Sequence, residues 1–209
     1  MIEIQHVYLQ YHKQEILHDI TFIANKGDIT GLIGTNGSGK TMLMKCICGF
    51  HNTFTGKIFV QGKEIGKDID FPENMGFIIE TPGFLPYYSG YKNLLMLAKL
   101  KNKIGKDEIE QALQATGLYQ DRNKLVKKYS LGMRQRLGLA QAFMENPEIL
   151  ILDEPFNGLD REGTQQMRSL LLNYKKEGKT ILFTSHNRED IDILCDQVYE
   201  IENGQLQSL

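Results

Sequence analysis

The sequence predicts an α/β fold: a mainly parallel sheet flanked by helices, with an antiparallel β layer at its start and a helical subdomain inserted in its middle. Three observations lead there. Short apolar, β-like runs alternate with helical runs, as in a parallel sheet covered by its crossover helices. The opening departs from that pattern, with short strand-like stretches at residues 2–8, 20–23 and 56–60 separated by turn signals such as Lys26-Gly27 and Gln61-Gly62-Lys63. Between Thr81 and Ser130 the apolar spacing becomes helical.

Taken in order, the elements follow from local chemistry. The first three strands form the antiparallel layer. Core strands are expected at Ile29–Ile33, 77–79, Ile149–Leu152 and Thr180–Thr184, each a run of apolar or β-branched residues. In the helical stretch Ile109, Ala112, Leu113 and Thr116 share one face, and Asp107 is the expected N-cap. A closing hairpin pairs 197–201 with 205–209 through the turn Asn203-Gly204. The chain reads as one domain, 1–209, in which 1–80 and 131–209 build the β layer and core and 81–130 the helical subdomain.

Composition narrows the class. Of 209 residues 41% are hydrophobic and 24% charged, enough apolar material for a core. A net charge of −2 argues against a partner held by blanket phosphate neutralisation, so no direct nucleic-acid contact is expected. No apolar run approaches the ~20 residues that span a bilayer. The start, Met1-Ile2-Glu3-Ile4, lacks the basic and apolar regions of a signal peptide. Cys46, Cys48 and Cys195 lack zinc spacing and read as small buried hydrophobes.

The strongest local signal is Gly34-Thr35-Asn36-Gly37-Ser38-Gly39-Lys40-Thr41, a G-x-x-x-x-G-K-[ST] match lying between an apolar strand and a helical run. A polyphosphate needs backbone N–H groups turned inward, and Gly37 and Gly39 permit the required dihedrals. Lys40 is then placed to reach β- and γ-phosphates and the Thr41 hydroxyl to ligate Mg²⁺, with the following helix aiming its positive end at the anion. A second signal is the apolar strand ending in Asp153-Glu154-Pro155. Beside a phosphate loop, Asp153 reads as a Mg²⁺ holder and Glu154 as the group that polarises the attacking water. His186, just past the strand Thr180–Thr184, is placed for a γ-phosphate contact.

These motifs, with Ser130-Leu131-Gly132-Met133-Arg134-Gln135-Arg136 and Asn157-Gly158-Leu159-Asp160 in between, resemble the nucleotide-binding subunits of ABC transporters over nearly the whole chain. The resemblance implies a P-loop NTPase core and an ATPase that works as a dimer around two nucleotides. It also implies that Tyr11 stacks on adenine. Ser130 and Gly132 would contact the γ-phosphate held by the opposite subunit, and Asp160 would cross the same interface. Three departures from the family pattern stand out. The signature, usually Leu-Ser-Gly-Gly-Gln, reads Tyr129-Ser130-Leu131-Gly132-Met133, and Glu80 replaces a glutamine that serves the Mg²⁺ side. The chain also stops soon after its last hairpin, so no large regulatory domain is expected to follow. Glu80 and the altered signature are similar to the branch serving bacitracin export and lantibiotic immunity.

The implied function is an ATP-driven motor for an exporter of antimicrobial peptides or drugs. Its implied partners are a second copy or a paralogue and an integral-membrane subunit, at the cytoplasmic face of the membrane. A soluble ABC ATPase acting on ribosomes or nucleic acid is the alternative, weakened by the single cassette and the lack of basic extensions. In the family, the segment after Glu80 forms a groove that receives a helix of the membrane subunit. Phe84, Tyr87, Tyr88 and Tyr91 crowd that segment here, and at least two of them are expected to be exposed.

Overall fold

The computed structural model describes residues 1–209. The opening residues alternate apolar and polar, and the alternation becomes a four-stranded antiparallel sheet. Its strands are β1 (Ile2–Tyr11), β2 (Gln14–Ala24), β4 (Phe54–Val60) and the short β5 (Lys63–Glu64), in the order β2-β1-β4-β5. Both long strands extend well past the stretches expected. Their alternation breaks at His6 and Asp19, which take φ of 49° and 54°; His6 absorbs an irregularity in register between Ile4 and Val7, and Asp19 a second one between Val7 and Leu9. A bulge of this kind hides one long strand behind two short apolar patterns.

The second sheet runs β10-β9-β3-β8-β7-β6, with β3 (Ile29–Ile33), β6 (Met75–Ile78), β7 (Ile149–Leu152), β8 (Thr180–Thr184), β9 (Gln197–Glu202) and β10 (Gln205–Ser208). All neighbours are parallel except β10, which returns from β9 through Asn203-Gly204, both at positive φ as a tight hairpin requires. Strand β6 begins two residues before the expected start.

Period-two alternation decides what each strand buries. Ile149 and Ile151 join a core that β1, β2 and α1 (Lys40–Ile47) share between the two sheets, through Ile4, Leu17, Leu43 and Ile47. Leu150 and Leu152 face the opposite way, into a core closed by α4 (Leu131–Phe143), α5 (Arg161–Lys176) and α6 (Arg188–Leu194). A third core joins α2 (Gly90–Lys101) and α3 (Lys106–Ala115) to Leu137, Ala140 and Met144 at α4. Helix α4 is therefore apolar on two faces and ties the helical stretch to the sheet.

One capping expectation is corrected. Helix α3 is capped by Gly105, whose N–H donates to the Glu108 carboxylate at 2.9 Å, and Asp107 lies inside the first turn. Glycine needs no side chain there because Glu108 reaches back to the same end. Cys46 and Cys48 are buried and their thiols are pushed up to about 12 by that burial. No helix is long and apolar enough to cross a membrane.

Candidate functional site: a phosphate cradle facing two carboxylates

The C-terminal ends of β3, β7 and β8 lie side by side, so the loops that leave them converge. From β3 comes the loop 34–41. Gly34 takes φ 139° and passes so close to β9 that an added Cβ would meet the Ile201 carbonyl at 2.1 Å. Only glycine fits there. Gly37 and Gly39 also take positive φ, as expected of an inward-turned loop. Lys40 folds over it, and Nζ donates to the Gly34 and Thr35 carbonyls at 2.7 and 2.9 Å. Burial lowers its pKa, opposed by Glu154 and Asp153. That leaves an ammonium held by neutral carbonyls, which an anionic ligand would compensate better.

From β7 come the two carboxylates. Asp153 accepts from the Thr41 hydroxyl at 2.8 Å and, on its other oxygen, from the Thr184 hydroxyl at 2.8 Å. Glu154 sits at φ 49°, and it lines the same cavity as Asp153. Its N–H donates to Thr184 Oγ1 at 2.8 Å, so one threonine fixes both residues. Burial raises the Glu154 pKa, with Asp153 adding to the rise and His186 opposing it. From β8 comes His186, with Nε2 3.1 Å from Glu154 Oε1, an oxygen that no protein donor hydrogen-bonds.

A cavity of about 320 Å³ gathers Lys40, Thr41, Asp153, Glu154 and His186 with Asn36, Gly37 and Ile16. Buried Ser38 Oγ, in the same loop, also lacks a protein partner. The site thus combines orphan polar oxygens, a loop of glycines and a hard-oxygen pair in Thr41 and Asp153. That donor set fits a triphosphate and Mg²⁺.

Other expected residues lie elsewhere. Tyr11 is exposed and packs edge-on against His12 and His51, while Ile16 lines the cavity wall. Glu80 is also exposed and pairs with Lys45 of α1 at 2.5 Å. Ser130 caps α4 by accepting from the Met133 N–H at 3.2 Å, and Asp160 caps α5 by accepting from the Gly163 N–H at 2.9 Å. Gly132 backs onto the Gly158 carbonyl, so these two helix starts are packed together, away from the cavity. Of the four clustered rings, Tyr87 and Tyr88 are exposed, 74% and 45%, while Phe84 and Tyr91 pack on the third core. Two residues escaped the sequence reading. Thr184 carried a weak signal, a polar end to an apolar strand. Gln135 stood in the signature segment with no role assigned to it, and its amide donates to the Glu154 and Pro155 carbonyls at 3.1 Å each.

Comparison with known proteins settles the family. Residues 17–157 match the ABC transporter family. The chain belongs to it. It is an ATP-binding subunit, an ATPase coupled to transport. The chain is 41% identical over 208 residues to an uncharacterized ABC transporter ATP-binding protein, YybJ, of Bacillus subtilis, covering 100% of this chain and 95% of that one. It is 39% identical to the bacitracin transport ATP-binding protein BcrA of Enterococcus faecalis, covering 99% and 68%. The lantibiotic transport ATP-binding protein SrtF of Streptococcus pyogenes is 35% identical, covering 99% and 89%. Among solved structures, an ATP-binding subunit of an ABC transporter superposes with TM-score 0.87 at 26% identity, covering 100% and 90%. A dimeric bacterial ABC transporter cassette superposes at 0.88 with 18% identity, which bears on the fold alone, covering 100% and 99%. These relatives are named for transport, and the ribosome or nucleic-acid alternative gains no support from them.

Proposed function

We propose that this ABC ATPase drives export of antimicrobial peptides, working as one of two ATPase subunits docked on membrane subunits at the cytoplasmic face. The observation that carries the reading is the meeting of Lys40, Thr41, Asp153, Glu154 and His186 in one cavity, while Ser130, Gly132 and Asp160 sit on helix starts outside it. A site so divided calls for a second copy or a paralogue to bring its own Ser130 and Gly132 to the nucleotide. The names of the bacitracin and lantibiotic relatives support the class of cargo.

In this reading the backbone N–H groups of 35–41 and the Lys40 ammonium bind the β- and γ-phosphates of ATP. Thr41 and Asp153 would hold Mg²⁺, with Glu80 on the same side, and the ion when bound neutralises phosphate charge. Glu154 takes the proton of the attacking water, and its raised pKa makes it a stronger base than an exposed carboxylate. His186 contacts the γ-phosphate, and Tyr11 stacks on adenine. The exposed Tyr87 and Tyr88 dock the membrane subunit.

The test is hydrolysis by the chain assembled with its membrane subunits in lipid vesicles. Bacitracin-like or lantibiotic peptides should raise the ATPase rate and move across the bilayer in an ATP-dependent way. A rate indifferent to every such peptide would remove the cargo class and leave the ATPase.

A further inference from the structure

His186 is half exposed, and its only close polar neighbour is Glu154 Oε1 at 3.1 Å. So few side-chain contacts cannot hold an imidazole, and its position depends on the backbone that carries it. That backbone is pinned on both flanks. On one side Thr184 is bonded to Asp153 and Glu154. On the other, Ser185 Oγ accepts from the Asn187 N–H at 3.1 Å, closing a tight turn with His186 at its centre. The same hydroxyl donates to Asp190 Oδ2 at 2.7 Å. The other oxygen of Asp190, Oδ1, accepts from Arg168 Nε at 2.8 Å and Nη2 at 2.5 Å, and Arg168 also pairs with Glu189 at 3.0 Å.

Arg168 and Asp190 are 8% and 2% exposed. Burying a charge pair costs desolvation that its attraction only partly repays, so packed apolar residues would stabilise this spot as well or better. A role in setting geometry explains the pair better than a role in stability. Its location fits. Arg168 belongs to α5, whose first residue follows Asp160, and Asp190 belongs to α6, which begins two residues after His186.

We propose that Ser185, Asp190 and Arg168 form a positioning relay that sets His186 against Glu154 and ties it to helix α5. The proposal rests on the part assigned to His186 in hydrolysis above. None of the three touches the reacting atoms. Ser185 fixes the turn, Asp190 fixes Ser185, and Arg168 fixes Asp190 to the helix that starts at the subunit-facing Asp160.

A double-mutant cycle on the full 209-residue chain tests it, read by single-turnover hydrolysis, ATP KM and thermal melting. Ser185→Ala leaves the Arg168–Asp190 pair intact and should lower kcat roughly tenfold, with KM changed by less than about twofold. On a His186→Ala background the same change should cost less than about twofold more, because the relay has nothing left to position. Arg168→Lys keeps the charge but loses the two-nitrogen grip, and should repeat the pattern more weakly. If Ser185→Ala lowers kcat equally with and without His186, or only lowers the melting temperature, the relay is overturned. A wild-type rate for His186→Ala alone would remove the role of His186 itself, and the relay with it.

Discussion

At Glu154 the two demands on a catalytic carboxylate conflict. Burial makes it a better base and also makes its charge costly to hold. Glu154→Gln keeps the shape and removes the base, so ATP should still bind, hydrolysis should fall by about 10²–10⁴-fold, and an ATP-bound dimer should accumulate on sizing columns. A near-wild-type rate would end the assignment. The pKa shift adds a stability signature. Its folded pKa is raised, so the stability Glu154 contributes is fully present below its unfolded pKa and is lost as pH rises through the folded one. Glutamine escapes that loss. The melting temperature of Glu154→Gln relative to wild type should therefore be higher at pH 8 than at pH 4. Glu80 makes a different claim. Its pairing with Lys45 holds the carboxylate beside the last turn of α1, outside the cavity that Thr41 and Asp153 line. Glu80→Ala should shift the Mg²⁺ dependence of hydrolysis while metal-free nucleotide binding stays nearly constant. An unchanged Mg²⁺ titration would make Glu80 a surface partner of Lys45 and nothing more.

Among the elements, α4 carries the most. Its N-cap Ser130 serves the helix by accepting from Met133, and in the proposed dimer it also faces the opposite nucleotide. Ser130→Ala separates those roles. Loss of the cap alone costs about 0.5–2 kcal/mol of stability, whereas loss of a cross-subunit contact also weakens ATP-dependent dimerisation. A melting shift without any change in dimerisation would confine Ser130 to capping. The strands taught a different lesson. β7 and β8 were legible to the residue because continuous apolar runs have one reading in a sheet buried on both faces. β1 and β2 were not, since the irregularities at His6 and Asp19 break the alternation that marks a strand. Helix α3 was found by its apolar face, but its start was misplaced because the cap is a glycine completed from Glu108.

For the whole molecule, assembly is the question. Tyr87 and Tyr88 project from the segment between β6 and α2, with Tyr87 under the Lys127 ammonium at 4.8 Å. Two large rings left in water beside the exposed Leu85 are candidates for burial by a partner. Replacing both with alanine should weaken co-purification with the membrane subunit and leave the melting temperature and ATP affinity of the isolated chain nearly unchanged. Full assembly by that variant would place docking elsewhere on the surface.

The phosphate loop, the Asp153-Glu154 pair and the order of the motifs were determined by sequence alone, because their chemistry depends on residue type at fixed short spacing. Lys40 could be read that way because it folds back onto the carbonyls of its own loop. What tertiary structure decided is every relation between residues far apart in the chain. Thr184 bridges Asp153 and Glu154 only because β8 lies beside β7. Arg168 reaches Asp190 only because α5 packs on α6. Exposed Glu80 meets Lys45 because β6 ends near α1. Spacing along a chain carries no record of which distant side chains will share a buried charge or a hydroxyl, so these contacts wait for the fold.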